Sequence, residues 1–146
     1  MLTNLEKAKP FGAAALAAFI AGCATAPEER VNKRVAAQLE KFEPTGEERL
    51  CLPLRSIASI NAATETKFLV RVGLNDYYLT ETPGRCIGAT LPLNRIQYIV
   101  PQNQLCANEI VTVVDNTTNI AGGSCGLGPF KELRLKETKK ETSTEE

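Results

Sequence analysis

"KFLVRVGLNDYYLT", residues 67–80, is the stretch whose reading decides the fold. Phe68, Val70 and Val72 alternate with Lys67, Leu69 and Arg71, so an extended chain here presents two different faces. Gly73-Leu74-Asn75-Asp76 carries turn chemistry, and "YYLT" from Tyr77 to Thr80 resumes a β-rich run. The stretch predicts a hairpin. Working outward, "CLPLRSIASI" (51–60), "RIQYIV" (95–100), "EIVTVVD" (109–115) and "PFKELRL" (129–135) have the same character. The pattern predicts an all-β or β-rich body over residues 50–135. Its form is a small curled antiparallel sheet or partial barrel of five to six strands.

The segments flanking this body differ from it. Residues 23–49 contain no long apolar run, although Val31, Val35, Leu39 and Phe42 recur at steps that suit one helical stripe. Pro27, Glu28 and Glu29 fit a first helical turn, and Pro44 with Gly46 would stop it. The same residues read equally as a flexible tether, partly helical at most, reaching roughly 25–30 Å as coil. Residues 136–146, "KETKKETSTEE", are polar throughout and predict a disordered polar tail.

Residues 1–22 read as a signal peptide. Lys7 and Lys9 precede "FGAAALAAFIA", a run of about 11 residues where a membrane-spanning helix needs about 20. Ile20-Ala21-Gly22-Cys23 resembles the bacterial lipobox, a branched apolar residue and two small ones before a cysteine. That resemblance implies diacylglyceryl transfer to the Cys23 sulfur, cleavage before it, and a palmitate-like set of acyl chains as membrane anchor. Each buried methylene contributes about 0.8 kcal/mol, so several chains hold where one would not. Ala24 stands where an aspartate would favour inner-membrane retention, which implies the outer membrane, facing the periplasm.

An exported chain meets an oxidising compartment, where four further cysteines imply two disulfide bonds. Cys51, Cys86, Cys106 and Cys125 are spaced 35, 20 and 19 residues apart, without a C-x-x-C pair. With no histidine in the chain, no metal site is predicted. If the strands run up and down in sequence order, Cys51 and Cys106 share one end and Cys86 and Cys125 the other. Crossing connections would permit Cys51–Cys125 with Cys86–Cys106 instead, so both pairings stand at this level.

The same lack of histidine precludes a Ser-His-Asp or Cys-His site within the chain. The carboxylates of the body are Glu65, Asp76, Glu81, Glu109, Asp115 and Glu132, and nothing in their spacing marks an acid–base pair. "GGSCGLG" (122–128) lacks the lysine and Ser/Thr of a phosphate loop and predicts a tight disulfide-bearing turn. Tyr77, Tyr78 and Tyr98 are candidates for a ligand groove, weighed against a packing role. Seventeen basic and 17 acidic residues balance. Without residues 1–22 the count is 15 against 16, which offers nucleic acid no long-range attraction.

Cys51 followed by Ile57, "FLVRVGLNDYYL" running on to Cys86, "LC" at 105–106 and "CGLGPF" from Cys125 together form a pattern. It resembles an uncharacterised bacterial family, domain of unknown function 6491, whose members are small exported proteins and often lipoproteins. The resemblance covers Cys51 to Phe130 and implies no cofactor, ligand or catalytic residue. The expectation is a non-enzymatic, lipid-anchored envelope protein that binds or supports another envelope component. A small-ligand or glycan-binding module using the tyrosines, and an enzyme with a carboxylate pair, are the alternatives.

Overall fold

The computed structural model describes residues 28–137. The signal peptide, Cys23 and nearly all of the polar tail lie outside them. In chain order the described residues form helix α1 (Lys33–Leu39), then strands β1 (Phe42–Arg49), β2 (Cys51–Pro53), β3 (Ile57–Ala62), β4 (Lys67–Val72) and β5 (Asp76–Glu81). Strands β6 (Asn94–Tyr98), β7 (Gln104–Cys106), β8 (Ile110–Asp115), β9 (Ala121–Gly126) and β10 (Phe130–Leu135) follow. They make a five-stranded sheet in the order β1-β10-β5-β4-β3, a two-stranded ladder β2-β7 and a three-stranded sheet β6-β8-β9, all antiparallel. The fold is β-rich as expected, and its sheets stay open rather than closing into a barrel.

The hairpin lies where its sequence placed it. Leu69 pairs with Leu79 and Val70 with Tyr78 across β4 and β5. Phe68 and Val70 enter the main core with Tyr78, Leu52, Leu105, Val111, Val113, Leu127 and Phe130. Leu69 enters a second cluster on the opposite face with Val35, Phe42, Ala63 and Leu133. Three consecutive residues of β4 are therefore buried, because α1 covers the face opposite the main core. Asn32 caps that helix, its side-chain oxygen accepting from the Val35 N–H at 3.3 Å.

The ten strands of the described residues exceed the five to six expected; besides the short added strand β7, the structure departs from the sequence reading in three places. First, residues 33–49 are not a tether. The helix ends at Leu39, before Pro44 and Gly46 are reached, and Phe42–Arg49 pairs with β10. Phe42 anchors that strand, its ring 4.5 Å from that of Tyr77, and β1 tolerates Pro44 because it lies at the sheet edge. Second, "CLPLRSIASI" is two strands, split by a 3₁₀ turn over Leu54–Ser56. Third, the glycine-rich stretch is strand β9, not a turn, with Cys125 opposite Val111. A Cβ on Gly123 would lie 2.9 Å from the Ile87 carbonyl oxygen, so this strand has glycine where another backbone passes close by.

Disulfide bonds join Cys51 to Cys106 and Cys86 to Cys125, the first of the two pairings allowed above. The route differs from a simple meander. Cys51 and Cys106 face each other across the β2–β7 ladder, with Cα atoms 4.0 Å apart. Cys86, on the connection from β5 to β6, ties that segment to β9.

Candidate functional site

The three-stranded sheet packs its inner side chains against the same core as the five-stranded one, yet the two sheets do not pair. Between them runs a cleft of about 370 Å³ lined by β3 along its whole length, by Asn94, Arg95, Ile96 and Tyr98 of β6, and by Asn32, Ala89, Leu91 and Pro92. Both bordering strands are sheet edges.

Hydrogen-bond phase determines which way their backbones point. In an antiparallel ladder alternate residues exchange bonds with the partner, and the residues between turn their N–H and C=O outward. The Ala63 N–H donates to the Lys67 carbonyl at 2.8 Å, so Asn61/Leu69 and Ser59/Arg71 are the bonded pairs. Ile60 and Ala62 consequently direct their backbone groups toward the cleft. On β6 the Asn116 N–H donates to the Leu93 carbonyl at 2.9 Å, making Arg95/Val114 and Gln97/Thr112 the bonded pairs. Ile96 and Tyr98 likewise face the cleft with their backbones. Among the described residues, no backbone group meets those of Ile60, Ile96 or Tyr98 on that side.

The connection leading into the cleft is held by an ion pair between buried Glu65 and half-buried Arg85. Glu65, 1% exposed, accepts from Arg85 Nε at 2.8 Å and from Arg85 Nη2, and the Gly88 N–H donates to its second oxygen at 3.4 Å. The Glu65 carbonyl accepts the Cys86 N–H at 2.7 Å. These bonds clamp the start of the 82–93 connection onto the turn after β3, and the Cys86–Cys125 bond clamps it to β9. The connection continues into Ala89, Leu91 and Pro92, so the clamps position β6 relative to β3 and thereby the cleft walls. Close by, Glu29 accepts from the Thr66 hydroxyl at 2.6 Å. That hydroxyl, more than any other contact, holds the Glu29 carboxyl below the usual range.

The three candidate tyrosines are not brought together. Tyr98 lines the cleft. Tyr77 stacks on Phe42 at the other face of the five-stranded sheet. Tyr78 is buried in the main core, where desolvation raises its hydroxyl pKa, with the Arg49 guanidinium 5.8 Å from its ring centre.

The body's carboxylates are likewise dispersed in structural contacts. Glu81 accepts from Lys131 at 2.7 Å, a bond that lowers the carboxyl and raises the ammonium. Asp115 caps its own turn by accepting the N–H groups of Thr117 and Thr118, which lower its pKa. Glu109 accepts the Cys106 N–H at 2.8 Å. Glu65 belongs to the clamp. Among the described residues, no group of three or more carboxylate or cysteine side chains is arranged to hold a metal ion, and no helix is long and apolar enough to cross a membrane.

The residues that build the cleft, Ile60, Ala62 and Ile96, were not singled out by the sequence reading. The one sequence signal at Ile60 and Ala62 is that "IASINA" (57–62) carries neither charge nor proline. Comparison of the chain with protein-family models, with curated proteins and with solved structures found no match.

Proposed function

We propose that this protein is a lipid-anchored component of the bacterial envelope, held through Cys23 at the periplasmic side of the outer membrane, whose β domain binds another envelope protein. It belongs, in this reading, with the exported family of domain of unknown function 6491, and it acts by binding rather than by catalysis. The anchor is supported by Ile20-Ala21-Gly22-Cys23 and the basic, apolar leader before it. Two disulfide bonds in a small domain suit an oxidising compartment.

The observation that carries the binding reading is the cleft bounded by two unpaired sheet edges, since natural proteins cover or blunt such edges unless they serve pairing. The Glu65–Arg85 pair and the Cys86–Cys125 bond tie down the connection that leads into that cleft, which suits a preformed site.

Two measurements test the proposal. Mass spectrometry of the protein from its native envelope should find the mature chain beginning at acylated Cys23. An unmodified Cys23 or an uncut leader overturns the anchor. A photo-crosslinker at Ala58, exposed in β3, should capture a defined envelope protein, whereas one at Glu47 on β1 should not. Equal labelling from both positions overturns the binding site.

A further inference from the structure

We infer that the cleft is a slot for one extended polypeptide segment that pairs with β3 on one side and β6 on the other, joining the two sheets through the guest. The inference rests on the binding reading above and names the manner and chemistry of the contact.

The geometry makes both walls receptive. Ile60 and Ala62 on one wall, and Ile96 and Tyr98 on the other, turn their backbone groups into the cleft. A strand laid between them gains main-chain hydrogen bonds on both of its edges, where ordinary strand addition supplies only one. With the slot filled, the strand order reads β1-β10-β5-β4-β3-guest-β6-β8-β9.

Side-chain direction gives the guest its pattern. Ile60 lies opposite Val70, and Ala62 opposite Phe68, so both point toward the main core. Ile57, Ile60, Ile96 and Tyr98 pack on that core yet stay only partly buried. The guest residues directly opposite Ile60 and Ile96 carry their side chains on this same face, because directly opposed residues share a face. They should be apolar, at every second position. The intervening side chains face outward. Among the described residues, Arg95 is the only charged one lining the cleft, held by the side chains of Asn116 and Asn119 at 2.8 and 3.2 Å, so outward guest positions favour neutral or acidic residues.

The occupant is a segment of a partner protein. Residues 138–146 contain no apolar side chain to place on the core. Upstream, Val31 pairs with Thr64 and Glu29 stands beside Thr66, so residues 29–31 lie against the turn after β3, and the proposed mature chain has only residues 23–28 before them. A second copy offers strands already engaged in its own sheets, whereas a two-sided slot needs a segment with both edges free. The outer edge strand β1 is also charged and carries Pro44.

The test uses the full chain in detergent and a blocked seven-residue peptide alternating threonine with valine. Amide exchange at Ile60, Ala62, Ile96 and Tyr98 should slow by about tenfold or more when the peptide is added. A peptide N-methylated at every residue, unable to donate toward either wall, should leave all four unchanged. Slowing at neither wall, slowing at one wall only, or undiminished slowing by the N-methylated peptide overturns the slot. The Ala58 cross-link separates this result from the wider reading. An envelope partner captured while the peptide protects nothing leaves the binding reading standing and removes the slot. Protection by the peptide with no envelope partner captured does the reverse.

Discussion

The two edges of the five-stranded sheet are built in opposite ways. At one edge, β1 has a break in its register between Pro44 and Glu48, and it exposes Glu47, Glu48 and Arg49. Proline removes a donor, the irregularity bends the strand, and the charges resist pairing with another chain, which together are the usual protections of an edge. At the other edge, β3 reads Ile-Ala-Ser-Ile-Asn-Ala, with one irregularity near its start and no charge or proline. The fold guards one edge fully and leaves its counterpart uncharged, beside a second unpaired edge in β6, and this contrast is what the proposed pairing at that side rests on. The difference also locates the mechanical parts: the Glu65–Arg85 pair and the Cys86–Cys125 bond both lie at the open side.

Breaking the clamp should have the largest effect. Arg85→Met leaves the Glu65 carboxylate buried and without its guanidinium, and should cost about 3–5 kcal/mol in chemical denaturation. Adding Glu65→Gln to that variant should recover part of the loss. A loss below about 1 kcal/mol for Arg85→Met alone would mean the pair does not hold the open side.

Next comes the disulfide. Replacing Cys86 and Cys125 together by alanine should cost about 2–4 kcal/mol, given the 39-residue separation they close. Hydrogen exchange should then quicken in β8 and β9 well before β4 and β5. Uniform quickening would show that the two sheets unfold as one unit.

A smaller effect is expected at the Lys131–Glu81 bond, which lies on the exposed surface. Lys131→Met should cost about 0.2–1 kcal/mol. The Glu81 carboxyl is lowered, so its contribution is present above the ordinary glutamate value of about 4.3 and is lost as pH falls through the folded value. The Lys131 ammonium is raised, so its contribution is present below about 10.4 and is lost as pH rises through the folded value. Denaturation midpoints across pH should show both limbs flattened in Lys131→Met. Unaltered limbs would assign the dependence to other groups, with Glu29 foremost on the acid side.

The smallest change in stability, within about 0.5 kcal/mol, is expected on unguarding β1 with Pro44→Val and Glu48→Val. Its readout is association instead: sedimentation should show concentration-dependent self-association of this variant. A strictly monomeric variant would remove proline and charge as the guards of that edge.

How much of this was legible depended on whether a residue's role was local. The 67–80 hairpin could be read directly, because alternation and a turn signal are properties of neighbouring residues. Strand β1 could not, because its exposed pattern of Glu, Pro, Thr, Gly and Arg is what a solvated tether also shows. Only burial of Phe42 against Tyr77, 35 positions away, makes it a strand. Strand β9 was hidden for a related reason. Glycine there answers a close approach by Ile87, and that neighbour cannot be inferred from "GGSCGLG". The cysteine pairing was narrowed to two possibilities by counting strand ends, while the β2–β7 ladder that chooses between them is a contact between distant segments.

Alone, the amino-acid order determined the β-rich class and the central hairpin, and it limited the chemistry by omitting histidine. Each of these follows from composition or from short-range periodicity, which a linear text carries in full. Tertiary structure alone decided the added edge strand, the choice of disulfide partners and the cleft between β3 and β6. Each of those depends on which backbone groups are left unpaired, or brought close, once segments far apart in the chain have packed on one core.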